Sequence, residues 1–346
     1  MRATLREAAD RRMKVGFDSR PGKDERGIGR YARCLMQALR ENGQVELVET
    51  HDPRRCELFH SPWIEGAMLR PPVPMVVTLH DLVALKRRGE YLRTGVRFKL
   101  RYLAVQRAAR VIVPTKTVAD DAMRMLRIAA DRIAVIPEAP APAFWPRSDD
   151  QVSSVRERFG LPERYLVWVG GLRQPDPRKR VAALTRARRT MPLVLVGPAG
   201  RWASELPGVH LTGAVVDDDL AAIYTGAHAL VFPSDDEGFG LPPIEALACG
   251  TPVAACDLPA LREVLNGSVR LSDVGDLNEL VRDAEALQRP APAPPTWTWR
   301  DAAHATWDAY REALAAAAPR RGESPRLLMR YAGAHAVRTS DLRREL

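Results

Sequence analysis

Short apolar runs, each followed by a polar loop and then an amphipathic stretch, recur along the 346-residue chain. The short runs have the length of buried strands, and the stretches between them repeat apolar positions at helical spacing. This alternation predicts an α/β fold built on parallel strands. The predicted strands are residues 14–17, 45–48, 58–60, 75–79, 111–113, 133–136, 165–169, 193–196, 210–211, 229–232 and 253–255.

Helices are predicted between these strands. The best marked one opens at Pro242-Pro243, runs through Cys249 and is closed by Gly250. Proline suits the first turn of a helix because its missing N–H has no partner there, and glycine suits the position after the last turn. The other predicted helices are 30–40, 91–109, 115–127, 217–226, 259–265 and 299–318.

The length of the chain suits two domains. Prolines and polar residues cluster over residues 138–155, where we place the boundary between them. We therefore expect a first domain at 1–145, a second at 146–300, a final helix at 301–318 and a basic tail at 319–346.

The most informative stretch follows the predicted strand 229–232. Two glutamates, Glu237 and Glu245, are separated by seven residues, with Gly238 and Gly240 just after the first of them. A strand, a glycine-bearing loop and a helix in this order direct free backbone N–H groups and a helix dipole at one spot, which suits an anion. Each feature alone is common in purely structural loops.

Other candidate residues lie at the ends of predicted strands, where open α/β sheets bind ligands. Gly29 ends a Gly-Ile-Gly run after the first strand, and His80 follows strand 75–79, where it could equally cap the strand by a hydrogen bond. Arg173 and Lys179 follow strand 165–169, with Arg178 as a substitute for Arg173. Two fixed cations suit an anionic group such as a diphosphate.

The run from Glu237 to Glu245, followed by Ala-Cys-Gly-x-Pro-Val at 248–253, resembles the nucleotide-sugar-binding signature of retaining glycosyltransferases with the GT-B fold, family 4. The resemblance spans roughly residues 14–316 and is densest at the signature. It implies two Rossmann-like domains facing each other across a cleft. The N-terminal domain would bind the acceptor and the C-terminal domain the nucleotide sugar, while helix 301–318 would cross back to the N-terminal domain.

The resemblance also implies roles for single residues. Glu245 would bind the ribose hydroxyls, Glu237 would lie by the sugar ring, and His80 would reach the sugar hydroxyls. Arg173 and Lys179 would stabilise the leaving diphosphate. The remaining donor-binding residues would act through the backbone and are Gly29, Gly238, Phe239, Gly240 and Leu241. Where the family usually has Asn-Gly after strand 133–136, this chain has Glu138-Ala139, so the family's role for that loop is not carried over.

The implied activity is a retaining, metal-independent hexosyltransferase. It would move a sugar, with mannose from GDP-mannose favoured, to a glycan, a lipid-linked acceptor or another hydroxyl acceptor. In the family the leaving phosphate is thought to take the acceptor proton, so neither a catalytic base nor a cofactor is expected, and we expect no metal site. A nucleotide-sugar epimerase, a GT-B phosphorylase and a non-catalytic anion- or nucleic-acid-binding relative remain alternatives.

Charge adds an expectation about partners. The net charge is +9, and Lys86–Arg110 carries a local charge of +8. Such a patch suits an anionic membrane surface or a phosphate-bearing acceptor, or it is simply a solvated helix face. No nucleic acid is expected, because the patch lacks a known binding motif. The chain has no apolar run of membrane-spanning length and no secretory signal, so we expect it to be cytoplasmic. The basic patch would contact the inner face of the membrane. Because there is no CxxC pair, we expect the cysteines to be reduced.

Overall fold

The computed structural model describes residues 12–24, 27–87, 95–265 and 267–317, without the side chains of 95–99. Its strands form two six-stranded sheets in which all neighbouring strands are parallel. Buried apolar side chains cover both faces of each sheet, as parallel sheets require. The predicted α/β class is therefore confirmed.

The first sheet has the strand order β2-β1-β3-β4-β5-β6. Its strands are β1 Met13–Phe17, β2 Val45–Glu49, β3 Leu58–Ser61, β4 Met75–Thr78, β5 Arg110–Val113 and β6 Ile133–Val135. The chain order reverses beside β1, and β3 and β4 lie at the centre. Their carboxyl ends therefore open onto the same edge of the sheet.

The second sheet has the order β12-β11-β10-β7-β8-β9. Its strands are β7 Leu166–Val169, β8 Leu193–Val196, β9 Val209–Gly213, β10 Ala229–Phe232, β11 Val253–Cys256 and β12 Arg270–Ser272. The direction of winding changes between β7 and β10, which are neighbours. Ligands bind at such switch points in open α/β sheets, and here the loop after β10 is the one that carries both glutamates.

Twelve α-helices connect these strands in the described residues. They are α1 Gly27–Asn42, α2 Val83–Lys86, α3 Gly95–Val105, α4 Lys116–Leu126, α5 Asp149–Phe159, α6 Val181–Leu184, α7 Arg201–Ser204, α8 Asp217–Gly226, α9 Leu241–Ala248, α10 Pro259–Leu265, α11 Leu277–Ala286 and α12 Trp299–Ala317. Within the described ranges, no helix combines the length and the apolar character needed to cross a lipid bilayer.

Most predicted elements are present, with ends shifted by at most four residues. Helices α2, α5, α7 and α11 and strand β12 were not predicted. Helix α5 begins inside the proline-rich stretch. Ser148 and Gln151 form a capping box there that stabilises the first turn of the helix. The predicted helix 91–109 corresponds to α3, and residues 88–94 and the tail 319–346 lie outside the described residues.

Helix α12 follows the second sheet in sequence but packs on the first. Trp299 and Tyr310 belong to the core around α1 and β1. The rings of Tyr31 and Trp299 meet edge to face, with their centroids 5.7 Å apart. The last described helix therefore belongs to the core of the first sheet.

Candidate active site

A cavity of about 680 Å³ lies between the two sheets at the carboxyl ends of their strands. It contains the ends of β4, β7 and β10 and the first turns of α1 and α9. Nine of the ten predicted site residues line it: His80, Arg173, Lys179, Glu237, Gly238, Phe239, Gly240, Leu241 and Glu245. These residues come from both halves of the chain, so the fold brings together what the sequence keeps up to 165 positions apart.

The signature loop turns sharply from β10 into α9. Gly240 has a φ of +93°, a conformation that L side chains rarely adopt, and Leu241 then begins the helix. Gly238 comes close to the first domain, since a Cβ there would lie 1.9 Å from the carbonyl oxygen of His80. Thr115 donates a hydrogen bond to the carbonyl of Gly238 at 2.9 Å. The loop is therefore packed against the opposite domain.

Gly29 is explained by local packing. It lies in the first turn of α1, and a Cβ there would lie 1.8 Å from the carbonyl oxygen of Asp24. The cavity is lined instead by its neighbours Gly27, Ile28 and Arg30. The missing side chain of Gly29 thus allows close packing against the loop before α1. The expected contact of Gly29 with the donor stays a prediction.

Arg178 forms the centre of a charged group on the cavity wall. Its guanidinium lies 3.2 Å from Asp81, 3.1 Å from Asp176 and 3.8 Å from Glu237, measured between the charged atoms. Burial opposes the charge of Arg178, but the three carboxylates raise its pKa. Arg178 therefore holds Glu237 in place and joins the two domains through Asp81.

Arg173 and Lys179 are placed differently from Arg178. Arg173 lies exposed in the loop after β7, and no ion pair of its side chain is formed among the described residues. Lys179 ends a 3₁₀ turn, with its Nζ 5.9 Å from the centre of the Trp168 ring. Both cations thus face the cavity from the segment between β7 and α6, as the spacing predicts, while Arg178 supports Glu237.

Glu245 is completely buried and paired with the opposite domain. Arg30, in the first turn of α1, donates to Glu245 at 2.7 Å and to Asp217 at 2.6 Å. Tyr224 donates to the other carboxylate oxygen of Glu245 at 3.3 Å. Burial raises the pKa of Glu245, and the charge of Arg30 opposes that rise. A ribose that binds the carboxylate of Glu245 must therefore share it with Arg30 or displace Arg30.

His80 is held at both ring nitrogens. Its Nδ1 lies 2.9 Å from a carboxylate oxygen of Glu138, and its Nε2 lies 2.9 Å from the carbonyl oxygen of Pro62. Burial lowers the pKa of His80, but Glu138 outweighs this effect and raises it overall. Glu138, to which the sequence analysis gave no role, is buried and lines the cavity. The expected contact of His80 with a sugar hydroxyl stays a prediction.

Sequence reasoning missed two site residues, Arg30 and Glu138. Arg30 belongs to the Gly-Ile-Gly-Arg-Tyr run, and its position directly after Gly29 was a usable signal. Glu138 was visible only as a departure from Asn-Gly. Neither partner could be read from the chain, because Arg30 and Glu245 are 215 positions apart.

The basic patch is partly neutralised. Lys86 pairs with Asp121 and Asp236, and Arg87 pairs with Asp235. Among the other patch residues whose side chains the structure describes, Arg101 pairs with Glu65 and Arg110 pairs with Glu312. The local charge of +8 in the sequence thus overstates the positive charge available to an outside partner, and two of these residues instead bridge to the signature loop.

Comparison with known proteins agrees with this geometry. Residues 163–289 match the family model described as glycosyl transferases group 1, and residues 5–139 match glycosyltransferase family 4. The D-inositol 3-phosphate glycosyltransferase of Mycolicibacterium smegmatis is 30% identical over 331 residues, covering 84% of this chain and 74% of that protein.

Two further relatives extend the comparison. The serotype-specific mannosyltransferase WbdA of Escherichia coli is 28% identical over 239 residues, 62% of this chain. The chain spans only 29% of the length of WbdA. The crystal structure of Anabaena HepE with UDP and glucose superposes with a TM-score of 0.62 at 16% identity, covering 88% of this chain and 97% of HepE.

Two parallel Rossmann-like sheets facing each other across a signature-lined cavity define a GT-B glycosyltransferase fold. Within that class, the chain belongs to glycosyltransferase family 4.

Proposed function

We propose that the protein is a retaining glycosyltransferase that moves a hexose from a nucleotide-diphosphate sugar to a hydroxyl acceptor. The observation that carries the proposal is the convergence of Glu237, Lys179 and the signature backbone on one cavity between the domains. Backbone N–H groups at the start of α9 and the cations after β7 suit a diphosphate. Glu237, held by Arg178, would lie beside the sugar ring.

The roles follow from position. The ribose would bind at Glu245, the diphosphate at Lys179 and Arg173, and the sugar at Glu237 and the signature backbone. Charge that develops on the diphosphate as the glycosidic bond breaks is stabilised by fixed cations, so the transfer needs no metal ion. The leaving phosphate would take the acceptor proton on the same face of the sugar, which retains the anomeric configuration.

Mannose is the favoured sugar, with GDP-mannose as its donor. Support comes from the names of WbdA and of the O-antigen chain mannosyltransferase B of Escherichia coli, which is 26% identical over 227 residues. Other relatives are named for inositol phosphate acceptors. The acceptor is proposed to be a glycan or a lipid-linked hydroxyl compound, met at the cytoplasmic face of a membrane, where the exposed Arg107 of the basic patch adds to the attraction.

The test is a transfer assay in the presence of a metal chelator. The protein is incubated with GDP-mannose or UDP-glucose and a panel of glycan and lipid-linked acceptors, and the anomeric configuration of the product is read by NMR. We expect a product of retained configuration, and the Glu237→Ala variant should lower turnover by a factor of about 100, the scale of losing one preorganised electrostatic group.

The same assay separates the alternatives. An epimerase would change the sugar when the donor is supplied without an acceptor. A phosphorylase would release sugar phosphate from a glycan when inorganic phosphate is supplied. Inverted products, full turnover by Glu237→Ala, or either of these activities in place of transfer would contradict the proposal.

A further inference from the structure

Both ring nitrogens of His80 face atoms that can only accept hydrogen bonds, the carboxylate of Glu138 and the carbonyl oxygen of Pro62, each at 2.9 Å. A neutral imidazole carries one N–H and would turn its lone pair towards one of these oxygens. A doubly protonated ring donates at both nitrogens. The geometry therefore selects the imidazolium form, with Glu138 as its counter-charge.

The surroundings of His80 support this assignment. Asp81 follows it in the chain, and the signature loop, which begins with Glu237, packs against its carbonyl. The Tyr31 ring of α1 lies edge to face at 4.6 Å between centroids. The charge of His60 on β3 would oppose the imidazolium, but burial lowers the pKa of His60 to about 3, so it stays neutral. Burial also lowers the pKa of His80, but Glu138, then Pro62 and Asp81, raise it overall.

We propose that Glu138 is a positioning residue that keeps His80 protonated and its ring fixed, so that the cavity presents a constant positive charge to the substrate. The protonation of His80 does not depend on the proposed function, whereas its effect on catalysis rests on that function. Because both ring nitrogens have protein partners, a sugar hydroxyl that contacts His80 has to replace one of them, and the charge of His80 acts on the substrate in either case. The Asn expected at this position in the family carries no charge and could not hold the ring in this form.

The backbone of Glu138 is held by the segment that connects the second domain to α12. Its carboxylate is buried, and its backbone carbonyl accepts a hydrogen bond from the indole N–H of Trp297, just before α12. The pair is thus built where the chain crosses back to the first sheet. A carboxylate-to-amide change at Glu138 keeps the size and the backbone contact while it removes the counter-charge.

The first test reads the charge of His80 directly. Protein labelled with ¹³C and ¹⁵N at its seven histidines is titrated by NMR, with His80→Gln identifying the resonance. In the native protein we expect His80 doubly protonated at pH 7.5. In Glu138→Gln the midpoint should fall to the ordinary value of about 6.5 or below. A neutral His80 at pH 7.5 in the native protein, or an unchanged midpoint in Glu138→Gln, would overturn the proposal.

The second test is the pH profile of transfer. A histidine with the ordinary pKa of about 6.5 is charged in about 3% of molecules at pH 8. Glu138→Gln should therefore lose roughly 30-fold more activity at pH 8 than at pH 5.5, whereas a merely structural role lowers activity equally at both. Glu285→Gln is the matched control, since Glu285 accepts from Thr190 and Met191 on the far side of the second sheet.

The two tests together distinguish a failure of this inference from a failure of the proposed function. If NMR shows the expected imidazolium and its loss in Glu138→Gln, the protonation of His80 stands even where no transfer is detected, and only the proposed function falls. If transfer occurs and the two pH profiles have the same shape, the positioning role of Glu138 is wrong and the proposed function stands.

Discussion

His60 shows how burial at the centre of the first sheet sets the chemistry of one side chain. It is completely buried, with Nδ1 2.7 Å from the hydroxyl of Tyr310 and Nε2 2.9 Å from the hydroxyl of Thr78. A hydroxyl can donate or accept, so a neutral ring is satisfied at both nitrogens. Burial, with a smaller contribution from the charge of His80, lowers the pKa of His60 to about 3.

This lowered pKa predicts a loss of stability in mild acid. The unfolded chain binds the proton at about pH 6.5 and the folded chain only near pH 3, so the contribution of His60 is full above pH 6.5 and falls as the pH drops below it. Between pH 7.5 and 5.0 the loss is about 2 kcal/mol. Urea unfolding of the native protein and of His60→Gln at both pH values measures it.

His80 has a raised pKa, so its contribution to stability has the opposite pH dependence. That contribution is full below pH 6.5 and is lost as the pH rises through the pKa of His80 in the folded state. It is present in both proteins, so it cancels in the comparison. An equal pH dependence of unfolding for the native protein and His60→Gln would show that His60 titrates normally.

Single residues also mark the limit of what the sequence predicts. Glu237, Glu245 and Lys179 were found because their spacing around glycines and prolines is a local pattern. Arg30 and Glu138 act through partners on distant elements, and a pairing over 215 positions leaves no local trace. Arg178 was placed in the correct loop, but its contacts with Asp81 and Glu237 depend on how the two domains meet.

At the scale of elements, β10, the signature loop and α9 form the part of the site that the sequence predicts best. An apolar run, glycines, a proline pair and a closing glycine are local signals that agree with one another. Elements with weaker patterns were missed. Strand β12 is three residues long and lies at the sheet edge, and α11 follows an Asp276 cap that the apolar pattern alone did not reveal.

The closeness of this loop to the first domain predicts the effect of Gly238→Ala. A Cβ would lie 1.9 Å from the His80 carbonyl oxygen, which belongs to backbone and cannot turn aside. The domains would then be unable to meet as they do here, and we expect transfer to fall by at least tenfold with little change in the thermal midpoint of unfolding.

Gly22→Ala is the matched control, because a Cβ there lies 3.5 Å from the Cγ of Arg33, an ordinary contact, and its backbone needs no glycine. Activity assays and thermal unfolding of both variants provide the comparison. Equal activity of Gly238→Ala and Gly22→Ala would show that the close packing of the signature loop is not needed for transfer.

At the scale of the whole molecule, charged contacts hold the two domains together around the cavity. Arg30 reaches Glu245 and Asp217, Arg178 reaches Asp81, and Lys116 and Thr117 donate backbone N–H groups to Glu263. The Arg30–Glu245 pair is the most buried of these cross-domain contacts among the described residues. Removing one partner of such a pair leaves an uncompensated charge, so closure depends on both partners.

These contacts connect nucleotide binding with the position of the domains. Glu245, proposed to hold the ribose, is occupied by Arg30 from the opposite domain in the structure described here. A nucleotide that takes this carboxylate changes the partner of Arg30 and with it one link between the domains. The proposed donor site is therefore one wall of a two-sided cleft, and we expect its affinity for the nucleotide to depend on residues of both domains.

The most direct test of the central claim is the calorimetric affinity for GDP-mannose and UDP-glucose of the native protein, Glu245→Ala, Lys179→Ala and the distant control Glu285→Gln. We predict that at least one donor binds the native protein and the control equally well. Each cavity variant should bind that donor at least tenfold more weakly, which is about 1.4 kcal/mol. No binding of either donor, or unchanged affinity in both cavity variants, would contradict a nucleotide-sugar site between the domains.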